Sequence, residues 1–214
     1  MKARNQPMPR FSPDGKKIVF QNDFDSRPPS KTVAEILIVS AEGGKPQRIL
    51  PKGDENETEP SFSPDGRNIV YANYPQGVIH ILNLDTHLVT TLPDSEGFGL
   101  PLWSPDGRSI ASISNDGDTL KIFDLKTQKW RGLERGEVNS PAWSHDSNFI
   151  FFTRWQLEKG LFRLRVRDGR VERLADLTNF THVGSLMSLD ATDAPLLTKE
   201  KSNSDIYALT LEEK

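Results

Sequence analysis

The chain has no cysteine among its 214 residues. That excludes disulfide staples, thiolate metal sites and a cysteine nucleophile. It leaves the compartment open, since cysteine-free chains occur on both sides of the redox divide. There is no run of about 18 apolar residues, the minimum for a membrane-spanning helix, so no membrane insertion is expected. Positive charge is not in excess: 27 Lys and Arg stand against 30 Asp and Glu, a net charge of −3. With no basic stripe either, a nucleic-acid partner is not expected. A helical apolar period is scarce, and short runs alternate with a period of two instead. The opening MKARNQPMPRF is positive but lacks an apolar h-region, so a signal peptide is not expected.

What the chain does contain is a repeat. FSPDG begins at Phe11 and at Phe62, WSPDG at Trp103 and WSHDS at Trp143, at intervals of 51, 41 and 40 residues. A short apolar run follows each: KKIVFQN, RNIVYAN, RSIASIS and NFIFFTR. A second run comes next: EILIVS, VIHILNL, TLKIFDL and GLFRLRV. A turn then intervenes at Gly43-Gly44, Asp85-Thr86, Lys126-Thr127 and Asp168-Gly169, before a short closing segment. Four short β-runs per unit of about 40 to 45 residues make the blade of a propeller. The expected fold is therefore all-β: a single β-propeller domain over 1–214, of about five blades near 7–50, 59–92, 100–133, 140–174 and 182–211. The fifth unit is worn. In it Ser188-Leu189-Asp190 stands where Ser-Pro-Asp stood, Ala194–Thr198 forms the next strand and Asp205–Leu211 the third. The outermost strand is missing, which favours a truncated or open propeller over a closed ring.

The repeated turn has a mechanism. Pro13, Pro64 and Pro105 preset φ, Asp14, Asp65 and Asp106 cap locally, and Gly15, Gly66 and Gly107 accept positive φ. Asp146 continues the series in the fourth unit. Four carboxylates, one per blade, could form a ring for a cation. The turn already needs each of them, so these residues are read as structural.

The motif Trp/Phe-Ser-Pro-Asp-Gly-x-x-Ile, followed by a strand ending near Asp-Leu or Gly-Gly, resembles the TolB-type, WD40-like propeller repeat. The likeness covers nearly the whole chain, in four good copies and one degenerate copy. It implies a ring with more blades than the five legible here, and it says little about function, since one fold hosts many activities. The tail SNSDIYALTLEE resembles the end of propeller domains fused behind bacterial winged-helix transcriptional regulators. That second resemblance implies the sensory part of a longer parent. A TolB-like or membrane-anchored parent would place the chain in the periplasm, and otherwise the cytoplasm is expected.

In a blade whose strands run a to d from the axis outward, the a–b and c–d turns share one face. The d–a and b–c loops share the other. The repeat dictates the first face, whereas the second varies in length and chemistry, as binding loops on a rigid scaffold do. It carries Phe24, Arg27, Tyr74, Phe98, Arg135, Trp155, Phe180 and His182, with Asp54, Glu55, Glu57 and Glu59 adding negative charge. Aromatics beside arginine suit recognition of a protein or peptide, and the same aromatics could instead pack inward as plugs.

Catalytic signatures are missing. No G-x-S-x-G elbow occurs, and His80, His87, His145 and His182 scatter over a strand, two turns and a loop, too far apart to share a metal or activate one serine. Asn115-Asp116-Gly117-Asp118 reads as a hairpin turn rather than a calcium loop. The expectation is a non-catalytic binding propeller with no cofactor and no metal. The alternatives are the gating propeller of a prolyl-oligopeptidase-like hydrolase, or a sensor of a small molecule or glycan.

Overall fold

The computed structural model describes residues 9–22, 33–51, 56–156, 158–180 and 182–199, the side chains of 182–186 and 199 excepted. Within them the chain forms strands and no helix. The first sheet holds β1 (Arg10–Phe11), β2 (Lys17–Gln21), β3 (Ile36–Ser40) and β4 (Gln47–Arg48). The second holds β5 (Asn56–Phe62), β6 (Asn68–Tyr74), β7 (Ile79–Asn83) and β8 (Val89–Thr91). The third holds β9 (Phe98–Trp103), β10 (Ser109–Ser114), β11 (Thr119–Asp124) and β12 (Lys129–Arg135). The fourth holds β13 (Asn139–Trp143), β14 (Phe149–Arg154), β15 (Gly160–Arg165) and β16 (Val171–Asp176). A fifth, partial sheet pairs β17 (His182–Leu189) with β18 (Pro195–Lys199). Every pairing is antiparallel and sequential, as the four-run repeat requires. The fold is thus a β-propeller of four blades plus a partial fifth sheet. The third strand expected over 205–211 and the tail at 202–213 lie outside the described residues.

The core lies between sheets rather than within them. Val19 and Ile36 of the first sheet pack against Phe62, Ile69 and Leu82 of the second. Val70 and Ile79 meet Phe98, Ile110 and Phe123. Ala111, Leu120 and Ile122 meet Ile150, Phe152 and Leu164. Phe151 and Leu161 meet Met187. The second, third and fourth sheets are therefore apolar on both faces, and fully burying each such side chain is worth about 1.5–3 kcal/mol.

In the second, third and fourth sheets the motif aromatic packs toward the preceding sheet. Phe62 is 8% exposed on the first sheet, whereas Phe11, at the same place in the first sheet, is 65% exposed. At the other end, Leu196 on β18 is 52% exposed. Among the described residues, no sheet packs on the outer side of the first or of the fifth.

Three inner strands carry a bulge that the motif reading missed. Pairing shifts within β5, β9 and β13, and Glu59, Leu100 and Ser140 there adopt φ of 58°, 50° and 50°. A proline follows each of the three. The sequence mark is a proline two residues before each motif aromatic: Pro60, Pro101 and Pro141, with Pro9 completing the series. A bulge re-aims a residue out of the ladder, and at the first of the three Glu59 Oε2 accepts the Leu100 N–H of the third sheet.

Candidate functional site

The turn face is built by one bonding pattern. Ser12 Oγ donates to Asp14 Oδ1 (2.6 Å), the same carboxylate oxygen accepts the Lys16 N–H (3.1 Å), and Ser12 Oγ accepts the Lys17 N–H (2.9 Å). Ser63–Asp65, Ser104–Asp106 and Ser144–Asp146 repeat it at 2.5, 2.6 and 2.7 Å. These serine hydrogen bonds hold the Asp14, Asp65 and Asp146 carboxyls below the usual carboxylate range. The carboxylates are consumed by the turns that contain them.

Adjacent turns also lean on one another. A Cβ on Gly66 would stand 3.6 Å from Pro13 Cδ, and one on Gly107 3.8 Å from Pro64 Cγ. At the next junction Ser147 replaces glycine at φ 61° and its Oγ accepts the Asp106 N–H at 3.0 Å. At the last, Asp193 stands at φ 64° and its Oδ1 accepts both the His145 N–H (3.0 Å) and a bond from His145 Nδ1 (2.5 Å). This corrects the expected alignment of the fifth unit. Asp190, not Ser188, takes the place of the motif serine, since its Oδ1 accepts the Thr192 and Ala194 N–H groups and its carbonyl accepts the Asp193 N–H. A carboxylate can play the capping role of the serine hydroxyl, so the motif's letters were misleading there.

The loop face is braced by the backbone. The Gly97 N–H donates to the Gln76 carbonyl and the Gly97 carbonyl accepts the Asn115 N–H. Further round, Gly136 N–H bonds the Asp118 carbonyl and Val138 N–H the Gly117 carbonyl. Glu137 then accepts the Trp155 and Gln156 N–H groups at 3.0 and 2.9 Å. The loops carrying Tyr74, Arg135 and Trp155 are therefore successive stations of one connected rim.

On that rim the expected interaction residues divide. Tyr74 is 51% exposed, and Arg135 is exposed as well. Phe98 does not present itself: it is buried against Trp130, ring centres 5.9 Å apart, with Lys121 Nζ 4.2 Å over its ring. Trp155 and Phe180 stack at 6.3 Å, half-buried on the core between the fourth and fifth sheets. Apolar area at a sheet junction is worth more to the core than to solvent, which is why the plug alternative holds for these rings. Phe24 and Arg27, with Asp54 and Glu55, lie outside the described residues. His182 opens β17, and its side chain is not described.

Two further readings are refined by the geometry. Asp116 does form a turn: Ser114 Oγ donates to its Oδ1 at 2.5 Å, the Asp118 N–H follows at 3.0 Å, and Gly117 stands at φ 79°. Ser114-Asn115-Asp116-Gly117 is thus another Ser-x-Asp-Gly turn, placed on the loop face. Glu59 is not a rim charge. The bulge turns it inward, where burial raises its carboxyl above the ordinary range while the Leu100 N–H and Arg10 oppose the rise.

Repeat-dictated turns on one face and repeat-independent loops on the other define a propeller scaffold of the kind that presents a variable surface. The chain belongs to the TolB β-propeller family: the model of the TolB beta propeller domain matches residues 2–185. Among curated relatives, the Tol-Pal system protein TolB of Francisella tularensis is 31% identical over 112 residues, 49% of this chain and 25% of that protein. The Bacillus subtilis protein named as the uncharacterized peptidase YuxL is 26% identical over 142 residues, 64% of this chain and 22% of that one. Atu1656 of Agrobacterium fabrum is 26% identical over 163 residues, 68% and 53%. This chain thus spans between 22% and 53% of the length of these relatives. Of solved structures, TolB from Acinetobacter baumannii superposes with a TM-score of 0.69 at 20% identity, over 86% of this chain and 46% of that one. The putative TolB from Agrobacterium tumefaciens gives 0.64 at 21% identity, over 78% and 63%. At such identities these two carry the fold alone.

Proposed function

We propose that the chain is a binding propeller that holds a protein or peptide on its loop face, as the interaction or sensory part of a larger bacterial envelope or regulatory system. The observation that carries this reading is the contrast between the faces. On the turn face the repeated serines and aspartates satisfy one another. On the loop face Tyr74 and Arg135 are exposed on loops that the backbone braces, and rigid exposed aromatics and arginines are what interface hot spots use. The name of the Francisella relatives, which assigns them to a Tol-Pal system, supports a place among other proteins.

The test is capture of partners from extracts of the source cell by the wild-type chain and two double variants. Tyr74→Ala with Arg135→Ala should lower capture of a specific partner roughly tenfold or more, the loss of about 1.4 kcal/mol or more expected of hot-spot truncation. Lys16→Ala with Arg108→Ala, on the turn face, should leave it unchanged. The reverse pattern would show that the wrong face had been chosen.

The likeness to a protein named as a peptidase favours a second reading, in which the propeller serves a hydrolase. A G-x-S-x-G elbow in an α/β pattern in the adjoining coding sequence would support it. A winged helix there would support the regulator reading instead.

A further inference from the structure

The register of the sheets puts equivalent residues on equivalent faces. The residue before each motif aromatic pairs with the centre of the second strand: Arg10 with Val19, Ser61 with Val70, Leu102 with Ala111 and Ala142 with Phe151. In the fifth sheet Leu189 precedes Asp190 as the aromatic precedes the motif serine, and Ser188 pairs with Leu196 in the same way. Val19, Val70, Ala111 and Phe151 are all buried toward the sheet that follows. Phe151, the most exposed of the four, is at 5%, against 52% for Leu196. Met187 and Leu197 pack on the fourth sheet, so Leu196, between Leu197 and Pro195, points the other way.

On the first sheet the opposite face is open. Phe11 pairs with Ile18, and Ile18 and Phe20 share its face, since Val19 between them points to the second sheet. Their counterparts in the second sheet, Phe62, Ile69 and Tyr71, are buried against the first. Phe11 itself is exposed, and Ile18 and Phe20 are half-buried.

The turns repeat this asymmetry. Gly66 and Gly107 close against Pro13 and Pro64 of the preceding turn. Among the described residues nothing lies within 4 Å of where a Cβ would stand on Gly15. At the other end Ala191 follows Asp190 as Pro13 follows Ser12, and it is exposed.

The two open faces are thus the two halves of a junction that neighbouring sheets of this chain already form. One half offers the aromatic and an open glycine turn. The other offers the aliphatic residue and the small side chain of the turn.

We infer that the first sheet of one copy receives the fifth sheet of a second copy of this chain, Phe11 meeting Leu196 as Phe62 meets Val19. The contact is head-to-tail, because two different patches meet. It runs on through further copies unless the rotation closes a ring. It uses the end sheets and not the loop rim, so it stands apart from the capture of a partner there.

The test is sedimentation velocity of the full chain from about 1 μM to about 1 mM, the range of a weak to moderate contact. The wild type should grow in mass with concentration. Phe11→Asp and Leu196→Asp should each weaken self-association roughly thirtyfold or more, as losing a hot-spot anchor does. At the lowest concentration, where single copies prevail, both variants should melt with the wild type, since each position is exposed there. An equimolar mixture of the two variants should form complexes of two copies and nothing larger, because each supplies the half that the other lacks. Association lost in Phe11→Asp but kept in Leu196→Asp would overturn the inference in favour of two first sheets face to face. The converse would favour two fifth sheets. A wild type that stays a single copy throughout, or a mixture that does, would overturn it outright.

Discussion

Trp143 and Trp103 occupy the same place in successive blades but differ by one bond. Trp143 Nε1 donates to the Leu102 carbonyl at 3.1 Å, whereas the buried Trp103 Nε1 has no acceptor among the described residues. Both would lose the same volume on replacement by phenylalanine. Trp143→Phe should therefore cost about 1 kcal/mol more than Trp103→Phe, the net worth of one hydrogen bond, in urea denaturation. Acid response is also decided residue by residue. Asp14, Asp65 and Asp146 are held below the ordinary carboxylate range by their serine partners. Their stabilisation is complete above the unfolded value of about 3.9 and is lost as pH falls through the lower folded value. Glu59 has the opposite sign, because burial raises it. Its contribution is present at low pH and is lost as pH rises through that raised value. Urea midpoints measured against pH should show Glu59→Gln removing a decline above about pH 4.3 and leaving the acid limb of the aspartates intact. The turn aspartates were legible in the sequence, because a local motif needs only local partners. The inward course of Glu59 was not, since it depends on a bulge and on two other sheets.

Strands that read alike can differ in cost because their neighbours differ. Phe62 closes the core between the first and second sheets, and Phe11 sits at the same motif position with that side uncovered. Phe62→Ala should destabilise by about 3–5 kcal/mol, the range for a buried phenylalanine. Phe11→Ala should stay within about 0.5 kcal/mol, as exposed substitutions do. Equal losses by thermal or chemical unfolding would mean that the first sheet is covered in solution. The strands themselves, and the order in which they pair, could be read from the alternation and the Ser-x-Asp-Gly punctuation. The worn fifth turn could not be aligned by its letters. Asp190 replaces a serine hydroxyl with a carboxylate, and only the backbone bonds reveal the equivalence.

Across the whole molecule, each sheet is stabilised by its immediate neighbours, so stability should be graded along the arc. The second, third and fourth sheets are packed on both sides, while the first and fifth are packed on one. In such quasi-one-dimensional stacks, stability is close to a sum of unit and interface terms. Hydrogen exchange followed by mass spectrometry should find β1, β17 and β18 exchanging first and β6, β10 and β14 last. Uniform protection would point instead to a closed ring. The same arc explains why the loop aromatics sort as they do. Phe98, Trp155 and Phe180 fall at sheet junctions and fill them, whereas Tyr74 falls beyond the junction and remains exposed.

The sequence by itself determined the propeller, the strand order and the chemistry of the turns, because each of these is a short-range pattern repeated in phase. Tertiary structure alone decided which loop aromatics are plugs and which are presented, that Glu59 turns to meet the Leu100 N–H of the third sheet, and that the motif phenylalanine is core in one blade and surface in another. Those outcomes depend on which sheet lies alongside, a relation between residues about forty positions apart that no local pattern encodes.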